Sequence, residues 1–456
     1  MDSLDKSKRS SRRRPLFLMF IPLLVLIVLA VMLVGFYERE KSQVTVLSDI
    51  GMVGAEKDVE LLLADRKSGL RSTRIEMVQG DKKVMVFEKE FARRGFFGQA
   101  GPENFEVEIK LEPASYDFTD GEAELLVTVR DYSWWNLLKG NLTTASFPVE
   151  LDTKPPLLYI ADSPRYILQG GAGIVTYSLD EEVAKHGVMI NDTFHPGFPL
   201  PEKGEGMYGA MIGLPYDIER IDRSVAMAVD QAGNSIAKPF GMIMRKRTPR
   251  RDRINVSDGF LSRKLPEFLS FYPELRGKEP LAQYLEINSR IRQENNKVIN
   301  EVCSQSRPER LWEGRFQRMA RSSRRAGFAE YRTYYYNGKE VDRQVHLGID
   351  LASTSRAEVE AANIGEVVFA GYLGIYGEMV IIDHGLGVFS LYSHLSQIST
   401  AVGDQVSKET VIGLSGATGM AGGDHLHFSV LVNGVFVDPL EWWDKQWLEL
   451  NILQYL

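Results

Sequence analysis

The feature that most constrains this chain is an uninterrupted apolar run close to its N-terminus. Residues 16–37 carry no charge, and a helix of that length, at about 1.5 Å per residue, covers the roughly 30 Å of a bilayer's hydrocarbon core. Six basic residues, Lys6, Lys8, Arg9, Arg12, Arg13 and Arg14, stand before it, whereas Glu38, Arg39, Glu40 and Lys41 cancel after it. By the positive-inside rule residues 1–15 are then a cytoplasmic basic segment, 16–37 a single-pass transmembrane anchor, and everything beyond it is exported. A cleaved signal peptide is the competing reading. Its apolar core would run about 7–15 residues and end in an A-x-A-like site, and no such site precedes Glu38. Pro22, inside the first third of the run, is a place for a kink.

The remaining length is too great for one ordinary domain. From 42 to 152, short alternating or β-branched runs (44–47, 59–64, 72–78, 83–91, 105–111, 122–129 and 145–151) are separated by turn clusters, the pattern of a small antiparallel sandwich. Pro155 and Pro156 break it by removing ladder donors. A second β module is expected over 156–245, with strands at 157–160, 173–179, 188–190 and 225–229. Its last piece, Ala228-Val229-Asp230-Gln231-Ala232-Gly233-Asn234-Ser235, resembles a hairpin of bacterial immunoglobulin-like modules. Beyond the basic run 245–253 the period changes, and Leu281, Leu285, Ile291, Val298, Ile299 and Val302 fit a helix from Pro280 to Cys303 with proline at its tolerated first position. We expect a basic helical connector over 250–325, followed by a C-terminal domain over 328–456.

Charge bears on partners. A net charge of −7 speaks against nucleic acid, yet residues 245–332 hold 21 Lys and Arg against 11 Asp and Glu. Either this is a solvated helix face, or it meets anionic lipid heads or an anionic polymer. Cys303 is the one cysteine, so neither a disulfide framework nor a thiolate zinc cluster is open to this chain. It is expected to be a quiet buried thiol. A metal would need histidine and carboxylate, and five of the 7 histidines (His346, His384, His394, His425, His427) fall in the last quarter of the sequence. His186 and His195 lie elsewhere without ligand partners at useful spacing and are expected at the surface or in packing.

His346 and Asp350 form an H-x-x-x-D element, and 75 residues after Asp350 come His425 and His427. In a strand, positions i and i+2 share a face, so those two imidazoles point into one pocket. Gly348 disfavours a helix around His346. Two histidines and one carboxylate with an open position describe a catalytic zinc, which lowers the pKa of bound water and polarises a carbonyl, with a further group needed to move protons. Serine-hydrolase and dinucleotide readings fail, because no G-x-S-x-G surrounds Ser390 or Ser415 and the glycines at 371, 374 and 377 have the wrong spacing.

These residues carry a resemblance. His346-x-x-x-Asp350, Tyr392-Ser393-His394-Leu395, and His425-x-His427 in the setting Gly422-Gly423-Asp424-His425-Leu426-His427-Phe428 resemble the lysostaphin-type (LytM-like) zinc endopeptidases of cell-wall peptidoglycan. The likeness runs from about 328 to 443. It includes Tyr334-Tyr335-Tyr336-Asn337-Gly338-Lys339, Ala361-Ala362-Asn363-Ile364-Gly365-Glu366-Val367 and Asn433-Gly434-Val435-Phe436-Val437-Asp438-Pro439-Leu440. It implies an antiparallel, barrel-like β-sheet, with strands expected at 366–370, 379–383, 387–392 and 425–433. It further implies one Zn2+ per chain held by His346, Asp350 and His427, with His394 and His425 as the catalytic pair. His425 would be the general base toward the attacking water and His394 the stabiliser or proton donor, roles that could be exchanged. His384 stands in a family segment without a ligand and is expected to be structural. The departures, Lys408-Glu409 after G-D-x-V and Asp424 where proline is common, touch no expected ligand.

The resemblance implies hydrolysis of peptide cross-links or stem peptides in bacterial peptidoglycan, by a domain anchored in the inner (cytoplasmic) membrane and facing the periplasm or extracytoplasmic space. A D-Ala-to-diaminopimelate bond is implied for a Gram-negative envelope and a glycine bridge elsewhere. Relatives that have lost ligands act as activators of other hydrolases, so a non-hydrolytic module that recruits or activates another enzyme is the alternative. The β modules are candidates for contact with an envelope protein.

Overall fold

The computed structural model describes residues 14–36, 39–95 and 100–456. The chain is mostly β, and its contacts group it into two compact units, residues 1–155 with 231–234, and 156–230 with 235–456.

A helix covers Arg14–Phe36 with Pro22 inside it, and its side chains described at 20–31 are exposed. Among the described residues no helix is long and apolar enough to cross a membrane. The basic residues at 1–13 and the junction at 37–38 lie outside the described residues.

The first unit builds a three-stranded and a five-stranded sheet. Strands Gln43–Val46, Lys57–Ala64 and Asn104–Leu111 form the first, and the second runs in the order Met52–Val53, Leu142–Leu151, Gly121–Asp131, Leu70–Gln79, Lys82–Glu90. Alternation decides which face is inward. Val59, Leu61 and Leu63 of one sheet and Leu125, Val127 and Val129 of the other are buried in a single cluster. All seven runs read from the sequence coincide with strands, and the short pairing strand Met52–Val53 is additional.

The second unit begins with two four-stranded sheets. Ala172–Leu179, at the centre of one, is buried along almost its whole length. It alternates between two cores: Val175 and Tyr177 face a local cluster, while Ala172 and Ile174 join the main cluster of the C-terminal domain. A strand covered on both faces reads as a continuous apolar run for that reason. Residues 250–325 are not a plain connector. Strand Arg250–Val256 pairs in parallel with Glu330–Tyr336, itself antiparallel to Lys339–His346. Helix Asp258–Phe271 follows, capped by Ser257, whose hydroxyl accepts from the Phe260 amide at 3.2 Å. Its Leu261, Leu265 and Phe268 recur at helical spacing and are buried in the same core as the C-terminal sheet. The helix expected from Pro280 comprises Pro280–Glu286, a π turn Ile287–Ile291 and Arg292–Val302. Cys303 closes it, buried in that core, with burial pushing its thiol pKa up.

The main sheet runs in the order Ser323–Ala326, Ile349–Ala352, Leu426–Val432, Val388–Leu395, Glu378–Asp383, Gly365–Tyr372, Gln405–Val406, with Val435–Val437 alongside Leu426–Val432. Its central strands Leu426–Val432 and Val388–Leu395 are buried at every position. The polar residues they carry are therefore enclosed and need partners.

Candidate active site

Three donors converge where two sheets meet. His346 ends the strand Lys339–His346, whereas Asp350 and His427 face each other across neighbouring strands of the main sheet. Gly348 permits this approach: a Cβ there would lie 2.6 Å from His427 Nε2, from the Phe428 carbonyl and from Ser429 Oγ. His346 Nε2, Asp350 Oδ1 and His427 Nδ1 form a triangle with sides of 2.8, 2.8 and 3.0 Å, and all three residues are buried.

Their outer hydrogen bonds set the tautomers. His346 Nδ1 is 2.8 Å from the Gly327 carbonyl, which can only accept, so Nδ1 carries the proton and Nε2 a lone pair. Ser429 donates its hydroxyl proton to the Leu347 carbonyl at 2.8 Å, so its oxygen accepts from His427 Nε2 at 3.1 Å and His427 Nδ1 is left with a lone pair. Burial pushes the Asp350 carboxyl up, but the imidazoles of His346, His425 and His427 outweigh it and hold the group well below the usual carboxylate range. Arg332 donates to its other oxygen at 3.0 Å. A proton on one donor relieves part of the triangle. A divalent cation relieves all of it, and donors this close can all reach one at about 2.0–2.1 Å. The donor set thus fits zinc, with orienting partners on every ligand.

Two further imidazoles overlook the triangle. His394 and His425 have ring centroids 4.9 Å apart, and His394 lies 5.8 Å from His427. Each ties Nδ1–H to a backbone carbonyl, His394 to Thr418 at 2.9 Å and His425 to Gly423 at 2.7 Å, which leaves each Nε2 unprotonated in the neutral ring. His394 has φ +62°, a left-handed conformation costly for a residue with a Cβ. Burial first, then His425 and His427, holds its pKa well below the usual imidazole range. For His425 burial pulls down, but Asp350, 3.5 Å from its Nε2, pulls harder and raises the pKa. The two rings are thus pushed in opposite directions.

The other histidines stand apart. His384 is enclosed, with Nδ1 2.7 Å from the Ile364 carbonyl and Nε2 2.7 Å from Ser390 Oγ. His186 meets the Tyr177 hydroxyl at 2.7 Å, and His195 is fully buried. Sequence reasoning missed Arg332, Ser429 and the carbonyls of Gly327 and Thr418. Ser429, two residues beyond His427 on the same strand face, was the one within reach of a spacing argument.

A cavity of about 360 Å³ lies over the triangle. Its walls include His346, Asp350, His394, His425 and His427, and also Val256, Phe260, Tyr284 and Arg292 from the segment upstream of the sheet.

An antiparallel sheet thus carries a His-Asp-His donor set beneath two more imidazoles. Residues 344–439 match the profile of peptidase family M23, so the C-terminal part of the chain is an M23 (LytM-type) domain. It is 42% identical over 97 residues to the DD-carboxypeptidase/endopeptidase Mpg of Neisseria meningitidis serogroup B, covering 21% of this chain and 22% of that one. It is 34% identical over 111 residues to the murein hydrolase activator EnvC of Escherichia coli, covering 24% of this chain and 26% of that one. The crystallised catalytic domain of lysostaphin from Staphylococcus simulans is 30% identical, with 28% of this chain and 96% of that one covered at a TM-score of 0.25. The chain therefore spans about a quarter or less of the length of these two curated relatives.

Proposed function

We propose that the chain is a zinc-dependent endopeptidase that hydrolyses peptide bonds of bacterial peptidoglycan, held outside the cytoplasmic membrane by residues 16–37. The observation that carries this reading is the triangle of three lone pairs beneath two imidazoles that line the same cavity. His346, Asp350 and His427 would hold one Zn2+. When bound, zinc supplies Lewis-acid polarisation of a peptide carbonyl and makes water acidic enough to lose a proton near neutral pH. His425 takes a proton through Nε2 while Gly423 keeps its ring in place. His425 then returns that proton to the leaving amine, His394 stabilises developing charge once its open Nε2 has taken up a proton, the two roles being exchangeable, and Arg332 holds Asp350 through the 3.0 Å bond to its second oxygen. The similarity to Mpg, whose name includes endopeptidase, supports this choice of chemistry.

The second reading is a module that activates another wall hydrolase. Two observations favour it: the similarity to an activator, and the cavity wall made by Val256, Phe260, Tyr284 and Arg292. Zinc stoichiometry and muropeptide release, measured side by side for His425→Ala and His427→Ala, decide. His427→Ala is expected to lose both zinc and activity, and His425→Ala only activity. Equal zinc loss in both, or full activity in either, overturns the roles. Zinc binding by the parent without muropeptide release favours the activator.

A further inference from the structure

The cavity over the donor triangle is unbalanced in charge. Its lining holds two guanidinium groups, Arg292 and Arg332, against one carboxylate, Asp350. Arg332 is committed to that carboxylate at 3.0 Å. Arg292 is not committed to an acid. Its Nε donates to the Asn288 carbonyl at 3.1 Å and its Nη2 to the Asn288 side-chain oxygen, both one turn back in its own helical segment. Among the described residues it enters no ion pair, unlike Arg290 nearby, which has three acidic partners. Asp342, which accepts from the same Asn288 at 2.6 Å, is already occupied by the Gln344 amide at 3.1 and 3.2 Å and by the Arg343 backbone N–H at 2.7 Å.

The backbone prepares Arg292 for this position. The π turn Ile287–Ile291 interrupts the helical segment just before it, a local widening that is frequent at functional sites. Asn288 in that turn is fully buried, so the guanidinium is braced rather than swinging in solvent. The buried Tyr284 lines the same wall as both arginines. A half-buried, braced guanidinium beside a second one and a cation site attracts an anion that can shed water, and its planar fork suits a carboxylate.

We propose that Arg292 is a specificity-determining residue of the cleft, pairing with a free carboxylate of the peptide close to the bond to be cut, so that acidic peptides are preferred. This rests on the peptidase reading of the site. The carboxylate is either the peptide's C-terminus or a side chain, and the two sources share the same chemistry.

The test uses the full chain in detergent, zinc-loaded and silenced by His425→Ala, with three fluorescent peptides of one wall-derived sequence: free acid at both places, C-terminal amide, and side-chain amide. One of the two amidations is expected to weaken binding about tenfold, which identifies the source. With Arg292→Gln added, that amidation should change binding by less than about twofold. Lys297→Gln, which removes an exposed cation of the same helix, should keep the tenfold difference, and Arg292→Lys should recover part of it, which separates charge recognition from misfolding. Equal binding of all three peptides by the parent overturns the proposal, as does discrimination that survives Arg292→Gln. Muropeptide release by the active chain is scored separately. Its absence while discrimination persists would remove the hydrolytic reading and leave the Arg292 site standing.

Discussion

At the scale of single residues, the site depends on groups that hold the ligands as much as on the ligands. Gly348 has no lateral room, with a Cβ there meeting His427, Phe428 and Ser429 at 2.6 Å each. Gly348→Ala is expected to push the strand Leu426–Val432 off the H-x-x-x-D turn, lowering zinc affinity about tenfold or more and stability by about 1–3 kcal/mol. Zinc titration and denaturant unfolding check both, and an unchanged affinity would mean that the turn relaxes without moving His427. Residue type and spacing were enough to nominate H-x-x-x-D and H-x-H as candidates, whereas the choice of His346, Asp350 and His427 as the donors came from the family resemblance. The tautomers were not, since they are set by carbonyls at Gly327 and Leu347 and by Ser429, which fall within 3.1 Å only after the sheets have formed.

At the scale of elements, the helices between Asp258 and Val302 secure the loops that wall the cavity. Asn295, buried, accepts from the Ile375 amide at 3.0 Å, Asn296 from the Tyr376 hydroxyl at 2.9 Å, and Glu267 from the Gly419 amide at 2.5 Å. Periodicity and proline revealed the helix from Pro280. Its role as a wall depends on partners 80 residues further on. Asn295→Ala leaves a buried N–H without an acceptor, a loss of about 1–3 kcal/mol. The expected readout is faster amide exchange confined to 374–377 together with a lower melting temperature. Unchanged exchange there would show that the loop keeps its place without the helix. The basic excess of this region is spread over exposed side chains, among them Arg321, Arg324 and Arg325. The last two lie on the edge strand Ser323–Ala326, which pairs with the strand carrying Asp350.

At the scale of the molecule, the second unit is joined through its own core, and one half-buried acid records that joining. Glu441, on helix Pro439–Trp443, accepts from the Ala172 amide at 2.9 Å. Burial raises its pKa from 4.5 to about 8, against the opposing effects of that bond and of Arg247 and with a further push from Asp438. Between these two values the unfolded chain releases the proton and the folded chain keeps it, so each rise in pH favours unfolding, and the loss is complete above about pH 8. Glu441→Gln keeps an acceptor and cannot ionise. Its melting temperature should fall less than the parent's from pH 5 to 8.5, and parallel curves would show that Glu441 is not the group responsible. The anchor is tested at the same scale. A reporter fused after Asp152 should be active only on the exported side, with the first 37 residues retained, whereas a soluble form beginning near Glu38 would reveal a cleaved signal.

The sequence by itself determined the β-rich organisation and nominated the four site histidines and the aspartate, because alternation and donor spacing are local properties of the chain. What only the tertiary structure decided is which residues brace those donors and what walls the cavity. The sheet containing His346 includes a parallel strand from Arg250–Val256, and the cavity wall includes Arg292. Parallel pairing and packing between residues this far apart leave no periodic trace, since the contacts exist only once both partners are buried together.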